Sequence, residues 1–260
     1  MDFGLIFFLI IVTVASILWG RINRIGYSSF ITSIVHFIMK YSKTNAELGR
    51  IYLMWFFYMF SGMVVSVALL LAYQENLLRY LTLDPKYLML VPLAFIAQNS
   101  LTGLIMHLLI VEKQPMSVFL EITNIPWVRY TLMMPGIMRM ISPLGAAIVE
   151  EVFFRGVVFL ILIDKFPQAG IYFPILVCTV LFVVQQVLQT DTIGQGTILL
   201  VGSTSISVIG CIATLATGSF LPTLLCHAAY AVFYFQLGTS MPKSSSRIQR
   251  PSRSSAQPNF

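Results

Sequence analysis

Residues 148–156 read IVEEVFFRG, which places two carboxylates and one guanidinium inside an otherwise apolar run. A charged side chain at the centre of a membrane helix costs roughly 2.5–3.5 kcal/mol on insertion scales. Three such groups within six positions, from Glu150 to Arg155, therefore indicate a functional site. The rest of the sequence has to explain what surrounds these groups and what they do.

The composition of the whole chain is that of a membrane protein. Of its 260 residues, 57% are hydrophobic and 10% are charged, and the mean hydropathy is +0.84. Soluble domains carry about 25% charged residues, so this composition excludes a soluble domain. Many of the basic residues behind the net charge of +6 lie in two segments, Arg21–Arg50 and Lys243–Arg253. Such clustering indicates membrane topology, with the lipid bilayer as a partner and no nucleic acid.

Apolar runs of spanning length divide the chain. A membrane helix needs about 17–25 apolar residues, and the runs of this length predict an all-α fold, a polytopic membrane helix bundle with about seven to eight transmembrane helices. The predicted spans are roughly 3–19, 51–73, 87–111, 141–163, 171–189, 196–217 and 219–238. Two further segments, 29–39 and 124–140, are short or interrupted by proline and arginine, so we expect them at the membrane interface.

The basic segments predict the orientation of the chain. Lys and Arg favour cytoplasmic loops, so we expect the 20–50 loop and the C-terminus to be cytoplasmic and the N-terminus to be outside. The first apolar run lacks a basic n-region and is interpreted as a retained helix of an integral membrane protein, in the cell (inner) membrane. The chain divides into N-terminal transmembrane helices and interfacial segments (1–134), a helix core with the charged stretch (135–238) and a disordered basic cytoplasmic tail (239–260).

The spacing within the charged stretch predicts different roles for its two carboxylates. Glu151 and Arg155 are four residues apart, so on a helix they share a face and can form an ion pair. Glu150 points about 100° away from Glu151. It is left to face a cavity, where a carboxylate can act as a general base for water. The alternative is a buried ion-pair network that only joins helices, although it leaves one carboxylate without a charge partner.

Polar side chains in the later spans are candidate partners of this carboxylate. His227 lies in the last span, and Gln185 and Gln186 lie near the end of the fifth. An amide can donate a hydrogen bond to an oxyanion. Each of the three side chains could instead be a hydrogen-bonded contact between helices.

Neither a cofactor nor a metal is expected from the sequence. Glu150 and His227 alone lack the three protein ligands of a catalytic zinc site, and HExxH is absent. The three cysteines lie in apolar runs without a CxxC partner: Cys178, Cys211 and Cys226. We expect them to be small buried residues.

The same stretches resemble a known family. EEVFFRG (150–156) is similar to the EExxxR motif of the CAAX prenyl endopeptidase and bacteriocin-processing (CPBP, or Abi) family of intramembrane proteases, and the stretch around His227 resembles the family's last motif, HxxxN or HxxxD. The resemblance covers roughly residues 135–238, and the first half of the chain contributes only hydrophobicity. It implies a membrane helix bundle with a hydrophilic cavity, and cleavage of a membrane-associated protein or peptide by glutamate-activated water.

The resemblance also implies a role for each candidate catalytic residue. Glu150 would be the base that activates water, with Glu151 and Arg155 as its supporting pair. His227 would hold the water or the tetrahedral intermediate. The family's FxxxH motif is matched with Gln186 in the place of its histidine.

Two positions depart from the family pattern, namely Gln186 and Ala231, which replaces the asparagine of HxxxN. Glutamine cannot exchange a proton near neutral pH, and alanine offers no side-chain hydrogen bond. Losing one oxyanion donor costs about 10²–10³ in rate.

The leading prediction is therefore an endopeptidase of this family with a degenerate site. One alternative is an inactive relative that acts as a binding, immunity or scaffold membrane protein. The other is a transporter or channel that uses Glu150, Glu151 and His227 as a proton or cation path.

Overall fold

The computed structural model describes residues 3–240 apart from 27, 42–44, 83 and 110–114. Its regular secondary structure is helical, and no strand occurs among the described residues. The prediction of an all-α membrane helix bundle is confirmed. The predicted tail, 239–260, lies outside the described residues from position 241 onward.

Helices follow one another along the described part of the chain. The α-helices are α1 (Phe3–Gly20), α2 (Ile22–Ile25), α3 (Ser29–Tyr41), α4 (Ala46–Tyr73), α5 (Leu90–Leu109), α6 (Pro115–Asn124), α7 (Pro126–Met133), α8 (Met138–Phe153), α9 (Leu160–Lys165), α10 (Tyr172–Val187), α11 (Ile193–Thr217) and α12 (Leu221–Ser240). A π-helical turn, Phe154–Phe159, joins α8 to α9, and 3₁₀ turns occupy Leu77–Tyr80, Pro85–Tyr87 and Pro167–Ala169.

Four helices in the described part of the chain are long and apolar enough to cross a membrane. They are α1, α4, α11 and the segment Pro85–Leu109, which contains α5. The apolar parts of α10 and α12 are shorter, Tyr172–Val187 and Leu221–Val232. The predicted span 141–163 falls on α8, the π-helical turn and α9, whose charged side chains interrupt its hydropathy. The number of spans therefore stays a prediction.

The charged stretch lies on a helix at the centre of the bundle. Every residue from 149 to 162 is buried. A π-helical turn inside an α-helix is rare and occurs frequently at functional sites. Here it contains Gly156, where an added Cβ would lie 2.7 Å from Cδ1 of Leu77. The 3₁₀ turn after α4 therefore packs directly against the backbone of the π-helical turn.

Glycines bring the N-terminal helices close to the central ones. An added Cβ at Gly62 on α4 would lie 2.4 Å from Cγ1 of Val149 on α8, and one at Gly20 on α1 would lie 2.7 Å from the carbonyl oxygen of Gln185 on α10. Small residues permit such close contacts between membrane helices. Helices α1 and α4 therefore reach the part of the bundle that holds the charged stretch.

The segment predicted to be interfacial at 29–39 forms the amphipathic helix α3. Its Ile31 and Val35 are buried against Met54, whereas Phe30 and Phe37 are exposed. The second such segment, 124–140, forms α7 and the start of α8. The position of both segments, 29–39 and 124–140, at the membrane surface stays a prediction.

The three cysteines are buried and carry free thiols, as their apolar surroundings predict. They lie on three helices of the second half of the chain: Cys178, Cys211 and Cys226.

Candidate active site

The site residues predicted from the sequence come together inside the bundle. Glu150 and Glu151 lie at the end of α8, and Arg155 lies in the π-helical turn that follows. Gln186 comes from α10 and His227 from α12. All five side chains are buried, and Arg155 is fully enclosed, with 0% of its surface exposed.

The ion pair between Glu151 and Arg155 is present. The Arg155 Nη1 atom lies 2.9 Å from Oε1 of Glu151, and both side chains are fully buried. The guanidinium also lies over the ring of Phe182, 4.6 Å from its centroid. A buried pair of this kind is costly to break, because removing one partner leaves the other charge without compensation.

His227 contacts both carboxylates. Its Nδ1 atom lies 2.7 Å from Oε1 of Glu151, and its Nε2 atom lies 3.6 Å from Oε2 of Glu150. Because a carboxylate only accepts hydrogen bonds, Nδ1 carries the hydrogen toward Glu151. The Nε2 atom is then directed at Glu150, and the orientation of the imidazole is set by the ion pair behind it.

The two oxygens of Glu150 have different surroundings. Oε1 accepts hydrogen bonds from Nε2 of Gln186, at 2.8 Å, and from the hydroxyl of Tyr58. Oε2 faces His227. Gln186 therefore lies beside the carboxylate, at the position where the family pattern has histidine, and it acts there as a hydrogen-bond donor.

Tyr58 is a site residue that the sequence analysis missed. It lies on α4, and its hydroxyl receives a hydrogen bond of 2.6 Å from Nε2 of Gln185. The ring of Trp19 on α1 packs against its ring at a tilt of 34°, with 4.9 Å between the centroids, and the indole donates to its backbone carbonyl at 3.0 Å. The resemblance covers only the second half of the chain, so it did not point to this residue in the first half. A tyrosine among 11 in the chain carries little local signal, because only the packing of α4 against α8 brings it to the carboxylate.

A cavity of about 360 Å³ opens beside these residues. Its walls come from α4 to α8 and from α10 to α12 and are mostly apolar, with Glu150, Gln186, His227 and Ala231 on one side. Two other lining side chains, Thr102 and Trp127, each have a buried polar atom without a hydrogen-bond partner among the described residues. Few polar groups on an apolar wall are typical of a site for an amphipathic ligand.

A metal site is not formed by the described residues. Among them, no group of three or more His, Cys, Asp or Glu side chains is arranged so that it could hold a metal ion. The chemistry available on the cavity wall is that of one carboxylate with an oriented imidazole opposite it.

Comparison with known proteins agrees with this arrangement. Residues 133–233 match the family model described as type II CAAX prenyl endopeptidase Rce1-like. No curated protein and no solved structure matches the chain. The matched segment contains the charged stretch, Gln186 and His227, and in this segment the chain is similar to the type II CAAX prenyl endopeptidases.

Proposed function

We propose that this protein is an intramembrane endopeptidase in which Glu150 activates a water molecule to hydrolyse a peptide bond. The family match supports a protease of the CAAX type. The observation that carries the mechanism is the arrangement of Glu150, with Oε1 occupied by two donors and Oε2 3.6 Å from Nε2 of His227 on the wall of an apolar cavity.

A water molecule in the cavity can bridge Oε2 of Glu150 and Nε2 of His227 from the side, because hydrogen bonds of about 2.8 Å to each atom are compatible with their separation of 3.6 Å. It would donate one hydrogen to each and direct a lone pair into the cavity. As the water oxygen bonds to the peptide carbonyl carbon, Glu150 takes one proton and the carbonyl oxygen becomes an oxyanion. The C–N bond then breaks as Glu150 gives the proton to the leaving amine, which restores the carboxylate.

The ion pair behind His227 has a supporting role in this mechanism. Glu151 accepts from Nδ1 of His227 and is itself neutralised by Arg155. Gln186 donates to the base and does not exchange protons. Since Ala231 lines the cavity without a polar group, the oxyanion is stabilised by fewer donors than in the family pattern, and we expect slow turnover.

The substrate follows from the membrane setting. A buried carboxylate, an apolar cavity and membrane helices favour a membrane-associated protein or peptide as the substrate. The family name makes a farnesylated peptide ending in Cys-a-a-X the first synthetic substrate to try.

We further propose that the protein lies in the cell (inner) membrane with its C-terminus in the cytoplasm, as the basic segments indicate.

The test compares the termini of membrane proteins by mass spectrometry in cells that lack the gene and in the same cells supplied with wild type, Glu150→Gln or Glu75→Gln. Glu75 forms an ion pair with Lys165 away from the site, so it is a matched control for the loss of a carboxylate. Immunoblots establish equal protein levels first. We expect a set of new termini with wild type and Glu75→Gln that is absent with Glu150→Gln. The same termini with Glu150→Gln would refute the mechanism.

A second function, peptide binding without hydrolysis, is favoured by Gln186 and Ala231 at the two positions where the family pattern has histidine and asparagine. It predicts that Glu150→Gln preserves the cellular phenotype and that Ala231→Trp, which fills the cavity, abolishes it. Hydrolysis predicts loss of the phenotype in both variants.

A further inference from the structure

The side chain of Tyr58 is held in place from several sides. Its ring packs at a tilt against the ring of Trp19, whose indole donates to the backbone carbonyl of Tyr58. One turn further along α4, Gly62 allows the helix to approach Val149 on α8 closely. Tyr58 is 6% exposed, and its hydroxyl points at the carboxylate on α8.

A chain of hydrogen bonds passes through the Tyr58 hydroxyl. Nε2 of Gln185 donates to it at 2.6 Å, and the hydroxyl in turn donates to Oε1 of Glu150. The amide of Gln186 donates to the same Oε1 atom at 2.8 Å. The two adjacent glutamines of α10 thus act together, one directly on the carboxylate and the other through the tyrosine.

This arrangement restricts the rotation of the Glu150 carboxylate. With two donors on Oε1, a rotation that exchanged the two oxygens would break both hydrogen bonds in a buried site, where unpaired polar groups are costly. Oε2 is therefore the oxygen presented to His227 and to the cavity. Both side chains that donate to Oε1 are buried.

We propose that Tyr58 is a positioning residue for Glu150, held by Gln185, and that the site is complete only with this contribution from α4. The inference rests on the proposed function of Glu150. Tyr58 lies outside the matched segment 133–233, so the family comparison does not include it. With an amide at position 186 in place of an imidazole, two neutral donors from two helices orient the base.

The test measures steady-state cleavage in detergent by the full chain, with the farnesylated Cys-a-a-X peptide or a peptide identified from the cellular termini. Tyr58→Phe removes the hydroxyl and keeps the ring that packs against Trp19. Tyr73→Phe is the matched control, since it makes the same change on the same helix about 22 Å further along its axis. A misplaced catalytic group costs about 100-fold in rate, so we expect kcat of Tyr58→Phe to fall by about that factor with KM unchanged. Tyr73→Phe should have the kcat of the wild type.

Gln185→Met is a second variant that reaches the same hydroxyl from the other side. It keeps Tyr58 and removes the donor behind it, so we expect a smaller fall in kcat, again without a change in KM. A role in substrate binding, which the position of Tyr58 on the cavity wall would permit, would instead raise KM. A raised KM with unchanged kcat in both variants would overturn the proposal.

A double-mutant cycle of melting temperatures tests the contact itself without any substrate. Tyr58→Phe should lower the melting temperature more in the wild type than in Glu150→Leu, which lacks the acceptor. Equal effects in the two backgrounds would overturn the proposal.

The failure of this inference and that of the proposed function give different results. If Glu150→Gln is inactive and Tyr58→Phe has the kcat of Tyr73→Phe, the inference is wrong and the proposed function stands. If Glu150→Gln keeps full activity, the proposed function is wrong and the role of Tyr58 falls with it.

Discussion

The close contact at Gly62 leads to a prediction about both stability and activity. A methyl group at this position would lie 2.4 Å from Cγ1 of Val149 and 2.6 Å from Cζ2 of Trp19. Ordinary contacts of a Cβ atom begin at 3.4 Å. Helices α4 and α8 would therefore have to separate by about 1 Å, or the two side chains would have to leave their preferred rotamers, and overpacking of this kind costs about 1–3 kcal/mol.

Gly49→Ala is the matched control for Gly62→Ala. Gly49 is buried on the same helix, and its added Cβ would meet only Cγ1 of Val35, at the ordinary distance of 3.8 Å. Both substitutions gain the same helix propensity of about 1 kcal/mol over glycine, so the difference between them isolates the clash. At about 2–4 °C per kcal/mol, Gly62→Ala should melt about 2–12 °C below Gly49→Ala.

The measurement is the melting temperature of the purified full chain in detergent, followed by tryptophan fluorescence. Cleavage provides a second readout, because Tyr58 lies one turn before Gly62 and would move away from Glu150 with the helix. A displacement of about 1 Å costs about 100-fold in rate. If Gly62→Ala and Gly49→Ala melted at the same temperature and cleaved at the same rate, the argument that close approach of α4 to α8 builds the site would be refuted.

Three further predictions concern the Glu151–Arg155 ion pair, Tyr80 and position 186. Glu151→Gln leaves Arg155 buried without a counter-charge, so we expect about 3–5 kcal/mol of destabilisation, and a melting temperature equal to that of the wild type would contradict this. Burial, followed by the hydrogen bond to Asp164, raises the pKa of Tyr80 from 10.0 to about 12. Because folding favours the neutral phenol, the stabilisation that Tyr80 provides is complete below pH 10.0 and is lost as the pH approaches 12. The melting-temperature difference between wild type and Tyr80→Phe should therefore shrink over that range. A constant difference would contradict this prediction. Gln186→His places a proton-exchanging group beside the proposed base, so cleavage should accelerate by up to about 100-fold, and an unchanged kcat would show that the family histidine is not what the site lacks.

Local patterns were sufficient to predict the ion pair and the class of fold. Glu151 and Arg155 are one helical turn apart, so their contact needs only a helix, and it is present at 2.9 Å. The hydropathy of the chain likewise needs no tertiary information to predict a membrane bundle, and four long apolar helices are found. The exact number of spans is harder to predict, because the central helix carries charges that lower its hydropathy.

Contacts between distant parts of the chain could not be predicted in the same way. The π-helical turn at Phe154–Phe159 leaves no periodic signal in so apolar a sequence, and Tyr58 is separated from Glu150 by 92 positions. Gln185 and Gln186 were both visible as polar residues at membrane depth, but their division between Tyr58 and Glu150 depends on how α10 is rotated against α4 and α8.

By itself, the sequence determined that this is a helical membrane protein with a paired arginine and a second carboxylate beside it, because hydropathy and i,i+4 spacing are properties of short segments. The tertiary structure decided which oxygen of Glu150 faces His227, and that a tyrosine from the first half of the chain holds the other. Those features depend on the rotation of each helix and on the close approach that Gly62 permits, and both are set by packing between helices far apart in the sequence.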